Sequence, residues 1–140
     1  MHLVQIPPHA IAKLWPLAAP MLARAIDYTG GAASLGSELA ALCAEKKQLW
    51  MVVDPDGAVQ NQAVAAGVTS LQVNADGSKT ANIELFGGDN MKAWFALKDR
   101  FEDWARGEGC RDVRLWARKG WAKHLPDFKL THYILRKTLA

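Results

Sequence analysis

The chain has 140 residues, half of them apolar and 22% charged, which is enough for one substantial core and too little for two ordinary domains. Its 17 basic and 14 acidic residues leave a net charge of +3 with no polybasic block, which argues against a nucleic-acid partner, because that partner needs a clustered basic face. No apolar run reaches the length of a membrane-spanning helix, and Pro7, Pro8 and His9 interrupt the apolar core a secretory leader requires. The expectation is a single soluble domain over residues 1–140, cytoplasmic in location.

His2 to Ile6 reads as a short strand, and Pro7-Pro8 suits the opening turn of a helix. From His9 to Tyr28 the apolar residues Ile11, Leu14, Trp15, Leu17, Ala18, Met21, Leu22 and Ile26 recur at helical spacing, while Pro16 and Pro20 predict a kink or split. Thr29-Gly30-Gly31 stops the helix, and Ser34 or Ser37 can cap a second one carrying Leu39, Leu42 and Cys43. Leu49 to Val53 is a continuous apolar strand with both faces covered, followed by the turn Asp54-Pro55-Asp56-Gly57. A second strand lies within Val59 to Val73, and Asn74-Ala75-Asp76-Gly77 turns the chain into a third, Thr80 to Phe86.

Gly87-Gly88 then separates that strand from an amphipathic helix, Met91 to Arg106, with Met91, Trp94, Phe95, Leu97, Phe101, Trp104 and Ala105 on its apolar face. A strand, glycine turn and helix in this order leave free backbone N–H groups at a helix start, where phosphates bind. Gly107 and Gly109 end the helix, so the next strand, Val113 to Ala117, should lie parallel to the preceding one. A short helix around Gly120 to Leu125, stopped by Pro126, leads to a last strand over Leu130 to Leu139.

Cys43 and Cys110 have no ligand or disulfide partner at suitable spacing and read as free buried thiols. His2, His9, His124 and His132 show no paired spacing, so no metal is expected. Trp15, Trp94 and Trp104 fall on apolar helix faces and read as core. Trp116 and Trp121, flanked by cations, either cover a sheet face or contact a partner. Arg111, Arg114, Arg118, Lys119 and Lys123 are the one stretch that could meet nucleic acid.

The order β-α-α-β-β-β-α-β-α-β, an α/β (α+β) arrangement around a mixed sheet, resembles the GNAT superfamily of acyl-CoA-dependent N-acyltransferases across nearly the whole chain. The stretch Leu85 to Arg118, with Gly87-Gly88, Trp94, Asp103-Trp104-Ala105, Glu108-Gly109-Cys110 and Val113, is most similar to small GNAT-like proteins of tailed phages, as is Leu49 to Asp54. The resemblance implies that strands Ile83 to Phe86 and Val113 to Ala117 splay apart and admit the pantetheine arm of acetyl-CoA or another acyl-CoA, with Ile83 and Leu85 beside it. It places the pyrophosphate on the turn Gly87 to Met91, with Gly87, Gly88, Asn90 and Met91 as contacts. Active relatives carry a longer glycine pattern there, whereas this chain continues with Asp89, a residue type suited to capping.

The family's general acid, a tyrosine, aligns by spacing from Phe128 with Lys123, which can in principle give a proton to a leaving thiolate. Glu84 is the one acidic residue of the candidate fourth strand, and alternation groups it with Asn82 and Phe86. It either takes a proton from an amine or is an ion-paired strand residue. Two functions follow: an N-acetyltransferase acting on a small-molecule or protein amine, or a non-catalytic accessory protein of a phage, virion-associated and binding a structural protein.

Overall fold

The computed structural model describes residues 1–56, 62–89, 91–116, 119–132 and 134–139, with backbone alone for residues 91–94, 96 and 119. Strand β1, His2–Ile6, leads through a 3-10 turn at Pro8–Ala10 into helix α1, Ile11–Ile26. α1 is not split: it runs as one span through Pro16 and Pro20. Both prolines are exposed and four residues apart, so the hydrogen bonds they cannot make fall on the solvent side, where water reaches the freed carbonyls. Ile11, Ala18, Leu22 and Ala25 form the buried stripe.

Helix α2, Leu35–Cys43, opens with a reciprocal cap in which Ser37 N–H donates to Ser34 Oγ and Ser34 N–H to Ser37 Oγ, each at 3.1 Å. Glu38 and Leu42, one turn apart, face inward. Cys43 follows Leu42 by about 100° of helix and is therefore exposed, not buried as the sequence suggests, while Cys110 is half-buried. α2 closes by a reversal at Glu45, a non-glycine residue at φ 58°, with Lys46 N–H donating to Ala41 O at 2.9 Å.

That reversal starts strand β2, Lys47–Asp54, beneath α2. β3, Gln62–Val73, and β4, Lys79–Gly88, complete an antiparallel meander with β1 and β2, and β5, Asp112–Leu115, pairs parallel to β4 after helix α3, Met91–Gly107. The sheet order is β1-β2-β3-β4-β5. Leu49 to Val52 are all buried, since α1 and α2 cover one face and α3 the other. On the α3 face Trp50 meets Phe101 and Trp104 edge-on at 5.0 and 5.2 Å, and Trp50 Nε1 donates to Thr69 Oγ1 at 2.8 Å. The indole is thus buried with its N–H satisfied. Trp15 packs on the α1 and α2 face, Trp104 and Trp121 on the α3 face, and Trp116 is exposed; the side chain of Trp94 lies outside the described residues.

Two features depart from the sequence expectation at the chain's end. The short helix is a 3-10 segment, Lys119–His124, seated on α3 through Phe95, which stacks on His124 at 5.1 Å. Beyond it, no strand forms among the described residues of Leu130–Leu139, and Ile134 and Leu135 are 90% and 95% exposed. β5 offers an edge of only four residues, and Arg136 donates to Gly30 O at 2.8 Å, drawing this segment toward the α1–α2 connection.

Candidate active site

Among the described residues β4 and β5 pair from Thr80↔Asp112 to Ile83↔Leu115, and the bond furthest along runs from Trp116 N–H to Ile83 O at 3.2 Å. β4 continues for five more residues, Glu84 to Gly88, held by β3 alone among the described residues. Where a parallel pair stops pairing midway, one strand edge is left with N–H and C=O groups that a ligand can use. Asp89 N–H donates across to Val64 O at 2.9 Å, so alternation turns the backbone groups of Gly87 and Leu85 toward β3 and leaves those of Phe86 and Gly88 on the open edge. Ile83, expected beside the pantetheine arm, is the last residue bonded to the β5 side.

The edge opens at a β-bulge. Val68 pairs with Leu85 and Thr69 with Ile83, so Glu84 has no residue opposite. The extra residue breaks the alternation: Ile83 and Phe86 belong to the α3-side core while Leu85 belongs to the α1-side core. Glu84 therefore shares a face with Asn82 but not with Phe86, a correction to the simple period-two reading. Its carboxylate turns to the α1 and α2 layer and meets Lys47 Nζ at 3.2 Å.

Lys47 also donates to both oxygens of Glu38, at 3.1 and 3.2 Å. Burial alone lowers the pKa of Lys47, but the Glu38 hydrogen bond and the charges of Glu84 and Glu38 outweigh it and raise it above its ordinary value. Glu38 and Lys47 were not singled out in the sequence. The signal available was a glutamate one turn before Leu42 on the inward face of a short helix.

Gly87 and Gly88 are the last residues of β4, not the turn itself. A Cβ on Gly87 would collide with the carbonyl oxygen of Met21 and crowd Ala25 N, so α1 lies directly on this strand end. Gly88, at φ 144°, has no room either, since Val64 O and Ala65 lie against it. β4 ends at Gly88 and α3 begins at Met91; Asn90 lies outside the described residues. Asp89 Oδ1 pairs with Arg24 Nη1 of α1 at 2.9 Å, so its charge is matched by a cation at the same corner. Lys123 is exposed on the segment that seats on α3, whereas Glu84 faces α2, so the fold does not bring these two side chains into contact. Arg118, of the basic stretch, lies outside the described residues. Arg111 is paired with Asp76 at 3.0 Å, which occupies one cation of the basic stretch.

A five-stranded mixed sheet with α1 and α2 on one face, α3 on the other and a parallel β4–β5 pair is the GNAT fold, and solved acetyltransferases share it. A probable acetyltransferase superposes with a TM-score of 0.68 at 11% identity, covering 100% of this chain and 97% of the other. An aminoglycoside acetyltransferase from an uncultured soil metagenomic sample, in complex with sisomicin, gives 0.65 at 12%, covering 99% and 96%. Glucosamine-6-phosphate N-acetyltransferase from Arabidopsis thaliana gives 0.65 at 10%, covering 99% and 98%. No protein-family model matches the sequence, and no curated protein matches it in sequence. Among the described residues no helix is long and apolar enough to cross a membrane.

Proposed function

We propose that this single domain is an acyl-CoA-dependent N-acyltransferase that transfers an acetyl or other acyl group to an amine. The observation that carries the reading is the coincidence at Glu84 of three features: a bulge, the end of the β4–β5 pairing among the described residues, and a half-buried carboxylate. The open edge fits an extended amide-bearing arm, because Phe86 and Gly88 can pair with it as a strand would. Gly88, Asn90 and Met91 lead into the N-terminus of α3, where backbone donors favour the pyrophosphate, and Arg24 offsets the charge of Asp89 beside it.

Bound acyl-CoA would supply a thioester, an activated acyl carbon. Glu84 takes a proton from the acceptor ammonium. The freed nitrogen then bonds to the acyl carbon as the C–S bond breaks, and the second proton that this nitrogen sheds to become an amide passes to water. Lys123 is the candidate proton donor to the leaving sulfur, in place of the tyrosine that the resemblance calls for. The acceptor is a small-molecule or protein amine, as the neighbours named for an aminoglycoside and for a sugar amine suggest.

Calorimetric titration with acetyl-CoA should give heat, and 100 times the dissociation constant should stabilise the fold by about 2.7 kcal/mol. Glu84→Gln should keep that binding while kcat/KM for an amine acceptor falls by about 10²- to 10⁴-fold. No heat and no rise in melting temperature at millimolar acetyl-CoA would overturn the reading. That result would favour a second one, a protein-binding GNAT fold without catalysis, such as a phage accessory protein. Its support is the exposed Trp116, at 56%, together with exposed Ile134 and Leu135 in the C-terminal segment.

A further inference from the structure

Lys47, Lys79, Lys98 and Arg114 are the half-buried lysines and arginines among the described residues. Lys47 is paired with Glu38 and Glu84, Lys98 with Glu102 and Asp127, and Lys79 Nζ donates to Glu108 O at 2.7 Å. The Arg114 guanidinium has no hydrogen bond or ion pair with a described residue, although every aspartate and glutamate of the chain is among them. Asp112, two residues before it, accepts from the Thr80 hydroxyl at 2.6 Å through Oδ1 and has Oδ2 3.8 Å from Arg111 Nε. A partly desolvated cation is stabilised by an anion, and none comes to Arg114 from the described residues. Val113 and Leu115 pack on the α3-side core, so alternation puts Arg114 on the face that carries Glu84. It stands opposite Asn82 in the β4–β5 register, and Glu84 follows Asn82 by two residues at the bulge. A strand rise of about 3.3 Å per residue and a strand spacing of about 4.8 Å set the Arg114 and Glu84 backbones roughly 8 Å apart. At the corner they share, Asn82 is 5% exposed; its Nδ2 donates to Gln72 Oε1 at 3.3 Å, while its buried Oδ1 meets no donor among the described residues.

We propose that Arg114 determines acceptor specificity by holding an oxyanion, a carboxylate or a phosphate, carried by the same molecule as the reacting amine. The proposal rests on the acyltransferase reading and narrows its substrate class. Lys47, Glu38 and Glu84 sum to one formal negative charge, and Arg114 adds one positive charge on the same face. A zwitterion with its ammonium toward the first group and its oxyanion toward Arg114 meets that pattern with each charge opposed. The guanidinium presents a planar fork of donors, which bonds a carboxylate or phosphate through two oxygens at once. Asn82 Oδ1 accepts an N–H of the ammonium, the donor it lacks among the described residues. A diamine without an oxyanion leaves Arg114 unmatched and brings a second positive charge toward it, so that class is disfavoured.

The test measures acetyl transfer by the full chain to two pairs of amines, phosphoethanolamine against ethanolamine and alanine against alaninamide, which separate phosphate from carboxylate. The anionic-to-neutral ratio of kcat/KM is compared between proteins, so the differing reactivity of the amines cancels. In at least one pair Arg114→Met should lower that ratio by about 10- to 100-fold, the loss falling on KM, because the charge-assisted bonds removed hold ground state and transition state alike. Arg114→Lys, which keeps the charge without the fork, should lower it less. Ratios unmoved by Arg114→Met in both pairs overturn the proposal, while the transfer itself upholds the acyltransferase reading. If Arg114→Met does not fold, Arg114→Gln against Arg114→Lys carries the test, and equal ratios in those two overturn it. Calorimetric binding of phosphoethanolamine or alanine, weakened by Arg114→Met, with no acyl transfer to any amine would reject the acyltransferase reading and leave the oxyanion site standing. No binding of either anionic amine to the wild type overturns the proposal.

Discussion

Gly87 is a residue whose role changes between sequence and structure. In the sequence it reads as half of a phosphate turn; in the fold it is the point at which a helix backbone rests on a strand. With the Met21 carbonyl and Ala25 N where a Cβ would go, the neighbour that must yield is main chain, which cannot move without moving α1. Gly87→Ala should therefore destabilise the protein by about 1–3 kcal/mol, read as a lower urea midpoint with little change in slope. An unchanged midpoint would show that α1 does not sit on β4 this closely. Glu84 makes the same point about period-two reasoning: one extra residue in β4 moves Phe86 to the other face while Glu84 stays with Asn82.

Among the elements, the β3–β4 turn shows how a few side chains hold a hairpin. Asp76 Oδ1 accepts from Ser78 Oγ at 2.6 Å and from Ser78 N–H at 3.0 Å, and Asp76 Oδ2 meets Arg111 Nη1 at 3.0 Å, which ties the turn to the residue before β5. These bonds, the Ser78 hydroxyl first, hold the Asp76 carboxyl below its ordinary value near 3.8. A group whose pKa is depressed by folding contributes stability above its unfolded value and loses it as pH falls through the folded one. Protection of the Ser78 amide against hydrogen exchange, referenced to the intrinsic rate, should thus decline below about pH 3.8 in the wild type. In Asp76→Asn that decline should be absent, and an identical decline in both proteins would remove Asp76 as its cause.

For the molecule as a whole, the two cores and the sheet take in none of the described residues of 130–139. Ile134 and Leu135, 90% and 95% exposed, contribute no burial, so replacing both with serine should alter stability by less than about 0.5 kcal/mol in thermal unfolding. A loss of several kcal/mol would mean that this segment is packed, against its own β5 or another chain. The same scale explains which expectations held. The strands, the three helices and the parallel crossover were legible because each is written in local terms: apolar spacing, turn residues such as Asn74-Ala75-Asp76-Gly77, and the Ser34 cap. The burial of Leu49 to Val52 on both faces was legible for the same reason.

What the sequence by itself determined is the order of elements from β1 to β5, with α3 carrying the chain from β4 to a parallel β5. Three things were decided by tertiary structure. Glu84 became a bulge because β3 and β4 fit together one residue out of step, Gly87 became a seat for α1, and Lys47 came under Glu38 through the reversal at Glu45. Each depends on residues between 9 and 66 positions apart, by the spacings Glu38 to Lys47 and Met21 to Gly87, meeting in space. Local periodicity reports which way a side chain faces along its own strand or helix, and it carries no record of what another element will place against it.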